Sequence, residues 1–142
     1  MANEATVQAS LRIRKGHIDH KSFPSQFRAT VDGTKGPSPG AVTISTEGTD
    51  VLFGELTTPG LATIQNIDTT NYVEYGIVDP VTRTFYPLGE ILPGEIYPIR
   101  FSRNLREAYY PSTGTGTTGE VNALHFKANT ADVIVVVNAF EK

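Results

Sequence analysis

The stretch LATIQNIDTTNYVEYGIVDPVTRTFYPLGEILPGEIYPIRFSR, residues 61–103, decides the fold. Short β-rich runs alternate in it with turn chemistry. Residues 64–67 are cut by Asp68-Thr69-Thr70-Asn71, residues 72–78 by Asp79-Pro80 and residues 85–88 by Gly89, while residues 96–101 follow Pro93-Gly94. Asn, Asp, Pro and Gly supply the dihedrals of tight turns, and Tyr, Val, Ile and Phe suit a pleated, half-buried surface. The pattern predicts an antiparallel meander, and no constellation within it marks an active site.

Toward the N-terminus, Val7, Ala9, Leu11 and Ile13 alternate with Thr6, Gln8, Ser10, Arg12 and Arg14, the signature of a half-buried strand. Residues 25–32 repeat it, with Phe27, Ala29 and Val31 against Gln26, Arg28 and Thr30. Gly36-Pro37-Ser38-Pro39-Gly40 reads as a loop, because its prolines fix φ and remove donors. Residues 42–45, 50–53 and 61–65 read as further strands.

Toward the C-terminus, residues 104–110 carry a short helical pattern, with Asn104 as N-cap and Pro111 as stop. Residues 112–119, STGTGTTG, offer nothing apolar to bury and read as a flexible loop. Leu124, Phe126 and Ala128 then face one way, His125 and Lys127 the other. Residues 133–137, VIVVV, are apolar on both faces, which suits a strand central in its sheet or one that meets a partner subunit. Nine or ten short strands with almost no helix point to an all-β chain: a two-sheet antiparallel β-sandwich of jelly-roll type, or a small β-barrel. The 142 residues read as a single domain, with an extended N-terminal segment over 1–10.

Composition narrows the function. With no cysteine, disulfides and thiolate metal sites are excluded. A net charge of -3 argues against a general nucleic-acid binder. No signal-peptide pattern or membrane-length apolar run is present, so the chain reads as soluble and made in the cytoplasm.

Candidate chemistry is sparse. His17-Ile18-Asp19-His20 holds metal-ligand types, but residues three apart on a strand lie on opposite faces, so they read as solvated. His125 reads as an exposed surface histidine. Residues 114–119 lack the Lys-Ser/Thr ending of a phosphate loop, and there is no G-x-S-x-G nucleophile elbow. Asp68, Glu74, Asp79, Glu90 and Glu95 sit at turns or strand ends, where carboxylates cap or solvate. Tyr75 and Tyr97 read as core. The candidate interface is Tyr109, Tyr110, Arg103 and Arg106, since tyrosine and arginine favour protein interfaces and this pair of tyrosines borders the flexible loop.

From residue 60 onward the chain resembles small all-β virion proteins of tailed bacteriophages. The likeness rests on Asn66-Ile67-Asp68 and Asn71-Tyr72-Val73-Glu74-Tyr75-Gly76, followed by Phe85-Tyr86-Pro87-Leu88-Gly89 and the Pro93-Gly94-Glu95 turn. Lys127-Ala128-Asn129-Thr130-Ala131-Asp132-Val133, leading into the closing valine run, completes it. The resemblance implies a non-enzymatic structural protein without catalytic, cofactor or metal residues. It implies a capsid decoration or cement protein on the virion surface, assembled in the host cytoplasm as a homo-oligomer, a trimer being favoured. Its partner would be the major capsid protein shell, with no nucleic acid or membrane involved. A tail or fibre module that binds host surface glycan is the alternative.

Overall fold

The computed structural model describes residues 4–22, 25–79, 82–102, 107–110, 119–122 and 124–142. Among them lie fourteen strands. They are β1 (Ala5–Ala9), β2 (Arg12–Lys15), β3 (Ile18–Lys21), β4 (Ser25–Ala29), β5 (Ser38–Ile44), β6 (Thr49–Asp50), β7 (Pro59–Asn66) and β8 (Val73–Val78), then β9 (Phe85–Ile91), β10 (Ile96–Arg100), β11 (Glu107–Tyr110), β12 (Gly119–Asn122), β13 (His125–Ala128) and β14 (Val133–Glu141). The chain is all-β. Two four-stranded antiparallel sheets form its body, in the orders β10-β7-β14-β5 and β6-β13-β8-β9, and they do not close into a barrel. Three two-stranded pairs, β1-β4, β2-β3 and β11-β12, complete the architecture.

The strands of residues 61–103 form where expected, but not as one meander. β8 pairs with β9 in one sheet, while β10 returns to pair with β7 in the other. The Asp68–Asn71 turn therefore carries the chain between sheets. Turn chemistry marks where a strand stops but not which sheet receives the next one.

Asn66 holds this crossing together. Its side chain is fully buried, and Nδ2 donates to the carbonyls of Asn71 (2.9 Å) and Ile91 (3.1 Å) while Oδ1 accepts from Asp68 N (2.9 Å). Its backbone bonds Glu95 and Gly94 in the β9–β10 turn. One residue, through side chain and backbone, thus joins the ends of four strands, and the N-x-D-x-x-N stretch is a structural turn.

Asp68 caps the turn by accepting from the backbone amides of Asn71 (2.6 Å) and Thr70 (2.7 Å). Those donors, Asn71 first, hold its carboxyl below the usual carboxylate range. A carboxyl depressed on folding contributes stability above its unfolded pKa, near 4, and that contribution is lost as pH falls through the folded value. Asp68→Asn keeps an acceptor but no charge, so its urea midpoint should fall less between pH 7 and pH 3 than that of the parent. Equal losses in the two proteins would show that the cap does not titrate with folding.

Both sheets feed one core. Ile44, Ile64, Val135 and Val137 come from one, Val73, Ile91 and Phe126 from the other, with Val51, Phe53 and Leu124 from connecting segments. β14 is central in its sheet, the first of the two places its composition allows: Val133, Val135, Val137 and Ala139 are buried, whereas Ile134 and Phe140 on the opposite face are over 40% exposed.

Several local expectations are corrected. Ser38–Ile44 is a strand despite Pro39, because β5 lies at a sheet edge where a missing donor is tolerated. Of residues 50–53 only Asp50 is in a strand; Val51 and Phe53 are instead buried as loop side chains. The helix expected over 104–110 is replaced in its second half by β11, which pairs with β12 and suits the two tyrosines better; residues 104–106 lie outside the described residues. Tyr75 packs against the core, but Tyr97 is 47% exposed, since β10 is an edge strand.

Candidate functional site: a projecting β-ribbon and the cleft at its base

β1, β2, β3 and β4 together form one long two-stranded ribbon. Ala5 to Ala9 pairs with Ala29 to Ser25, and Arg12 to Lys15 with Lys21 to Ile18. Leu11 and Ser22 continue the ladder between them, with Leu11 N donating to Ser22 Oγ (2.7 Å) and Ser22 N to Leu11 O (2.8 Å). At the tip, Gly16 turns the chain at φ 57°, a conformation that glycine adopts without steric cost. At about 3.3 Å per residue, residues 5–15 span roughly 35 Å.

The ribbon's amphipathic pattern matches the sequence, but its burial does not. Every residue of β2 and β3 is exposed, including Ile13 (45%) and Ile18 (49%), and Leu11 is 56% exposed. The alternation that reads as a half-buried strand is here a stripe with the body beneath only its base. There the returning chain is anchored by Gly33 N to Lys142 O (3.1 Å) and Glu141 N to Lys35 O (3.0 Å).

Between the ribbon base and the outer face of the β10-β7-β14-β5 sheet lies a cleft of about 800 Å³. Ala5 and Val7 form one wall and Leu61, Ile96, Pro98 and Phe140 the other, with Glu4 at the margin. The lining is predominantly apolar.

The edges of the body are closed to strand addition. Pro98 in β10, Pro87 in β9 and Pro39 in β5 each remove a donor from an edge strand, and the fourth edge, β6, is two residues long. The ribbon strands contain no proline.

A second polar cluster serves the fold. His125 is 5% exposed, contrary to its expected place on the surface, because Phe85 packs on its ring (centroids 5.1 Å apart) and Gly48 lies against Nε2. Its Nδ1 bonds Asp50 Oδ1 at 2.8 Å, and Asp50 Oδ2 lies 3.4 Å from Arg83. With one ring nitrogen on Asp50 and the other against backbone, the imidazole staples β6 to β13 and presents no edge to a substrate.

The other sequence candidates scatter. His17 lies in the tip turn, and His20 sits across from Ile13; Asp19 pairs with Arg14 at 3.5 Å. Among the described residues no three His, Asp or Glu side chains converge as a metal site, and no helix is long and apolar enough to cross a membrane. Tyr109 and Tyr110 lie in β11; Arg103 and Arg106, and residues 112–118 of the expected flexible loop, lie outside the described residues, while Gly119 opens β12. The ribbon's second half is hidden in the sequence because residues 17–20 read as solvated and not as a strand. The signal lay in Gly16, which separates two β-compatible runs. No protein-family model, curated protein or solved structure matches the chain.

Proposed function

We propose that the chain is a non-enzymatic structural subunit of a bacteriophage virion, a decoration or cement protein that binds and stabilises the assembled capsid shell. The supporting observation is the ribbon: a two-stranded hairpin exposed on both faces gains little from its own ordering, and its purpose is contact beyond the body. The phage-like segments from residue 60 onward supply the virion context. On this reading the two sheets are the layers of a jelly-roll sandwich, a rigid block that carries the ribbon.

The mechanism is linkage. A protein that binds the assembled shell and not its separated subunits shifts the equilibrium toward the shell, by about 2.7 kcal/mol per site at a hundredfold excess over Kd. Homo-oligomerisation, with a trimer favoured, adds avidity by engaging several major capsid protein subunits at once. Purified protein mixed with shells that lack it should bind at a fixed copy number per shell subunit and raise their melting temperature. Exposed Tyr86 (52%) and Tyr97 (47%) favour the second reading, a tail or fibre module stacking on host glycan. Unchanged shell stability at saturation, or immunogold labelling of the tail, would transfer the assignment to it.

A further inference from the structure

Ala5, Val7, Ala9, Leu11 and Ile13 share one face of the ribbon, joined across the ladder by Phe27 opposite Val7, His20 opposite Ile13 and Ile18 opposite Lys15. At the base this stripe forms a wall of the cleft. At the tip it continues as Leu11, Ile13 and Ile18, each about half exposed. The cleft wall opposite the base is of the same character, and Ile96 (53%) and Phe140 (41%) there are half exposed too. One chain therefore carries both an aliphatic plug and an apolar cleft, which the length of the ribbon keeps apart.

Charge follows the same division. Residues 5–29 hold five cations (Arg12, Arg14, Lys15, Lys21 and Arg28) and one carboxylate, Asp19, for a net +4; the whole chain is -3, so the remainder carries -7. Two bodies repel, whereas the ribbon of one copy is drawn to the body of another.

We propose that the ribbon tip of one copy docks in the cleft of a second copy, inserting Leu11, Ile13 and Ile18 against Ile96, Pro98 and Phe140. Lys15, on the same face as Ile13, then approaches Glu4 at the cleft margin. Because each copy offers one plug and one cleft, reciprocal docking of two copies gives a symmetric dimer, and head-to-tail docking gives a ring where the rotation closes and a filament where it does not. The docking deepens the structural-subunit reading by making another copy the first partner, and it is tested without any shell.

The chain has no cysteine, so single cysteines report contacts cleanly. Ile13→Cys and Ile96→Cys proteins, mixed and oxidised, should yield a disulfide-linked pair of twice 15.4 kDa, with far less from either alone. No cross-linked product in the mixture overturns the docking, as does an equal yield from Ile13→Cys alone, which would mean ribbon meeting ribbon. By light scattering the parent should have a multiple of the 15.4 kDa mass and Ile13→Asp the single-chain mass, with unchanged circular dichroism. A single-chain mass for the parent at high micromolar concentration, or an intact oligomer in Ile13→Asp, overturns it as well. An oligomer that ignores shells would leave this inference standing and sink the cement reading; a parent that stabilises shells as a monomer would do the reverse.

Discussion

Phe126→Ala should cost about 3–5 kcal/mol, the range for truncating a fully buried aromatic residue. Phe126 has no exposed surface, lies in the central strand pair of its sheet and packs against Tyr75 with ring centroids 6.2 Å apart. The truncation removes the transfer free energy of the ring and leaves a cavity that both sheets would have to collapse to fill. Against a typical domain stability of about 5–15 kcal/mol, the variant should be near the limit of folding at room temperature. Phe27→Ala is the control: Phe27 is 47% exposed on the ribbon, and its loss should change the urea midpoint little. Comparable midpoints for the two variants would mean that the core is not centred where the buried cluster places it.

Asn66→Ala should cost about 2–4 kcal/mol, because it strips partners from two carbonyls and one amide, each carrying its own desolvation cost. Asn66→Asp separates hydrogen bonding from packing. It keeps the acceptor for Asp68 N but sets a buried carboxylate against the carbonyls of Asn71 and Ile91, which raises its folded pKa. A raised carboxyl pKa destabilises at neutral pH and is relieved as pH falls through it, so the stability gap between Asn66→Asp and the parent should narrow in acid. A gap that stays constant from pH 7 to pH 4 would show that the side chain is solvated.

Much of the fold is legible because burial in this chain is local to each strand. Residues 133–137 read from two-faced apolarity as central or partner-facing, and β13 shows its inner face in Phe126 and Ala128. Legibility ends where a second element decides the outcome. His125 alternates as a surface residue does, and only Phe85 and Gly48, distant in sequence, bury it. Pro39 reads as a loop residue until β14 is seen to pair with Ser38, Pro39 and Gly40 from one side only. The ribbon fails in the opposite sense: Val7, Ala9, Leu11 and Ile13 promise a buried face, but the tip overshoots the body that would cover it. Alternation records that a strand has two unlike faces, and it is silent on whether the surface meant for the apolar face belongs to the same chain.

The position of β14 also bears on how the molecule is made. β5 and β7 share a sheet yet do not touch by hydrogen bonds; each pairs with β14, the last strand. Until the ribosome has made residues 133–141, β5 lacks its partner strand and β7 has only β10, so one edge of each waits with unmet backbone, an order imposed by the distance in sequence between partners. Completion of residues 133–141 is thus the event that closes the sheet, and truncated or stalled products should be the aggregation-prone species in the cell.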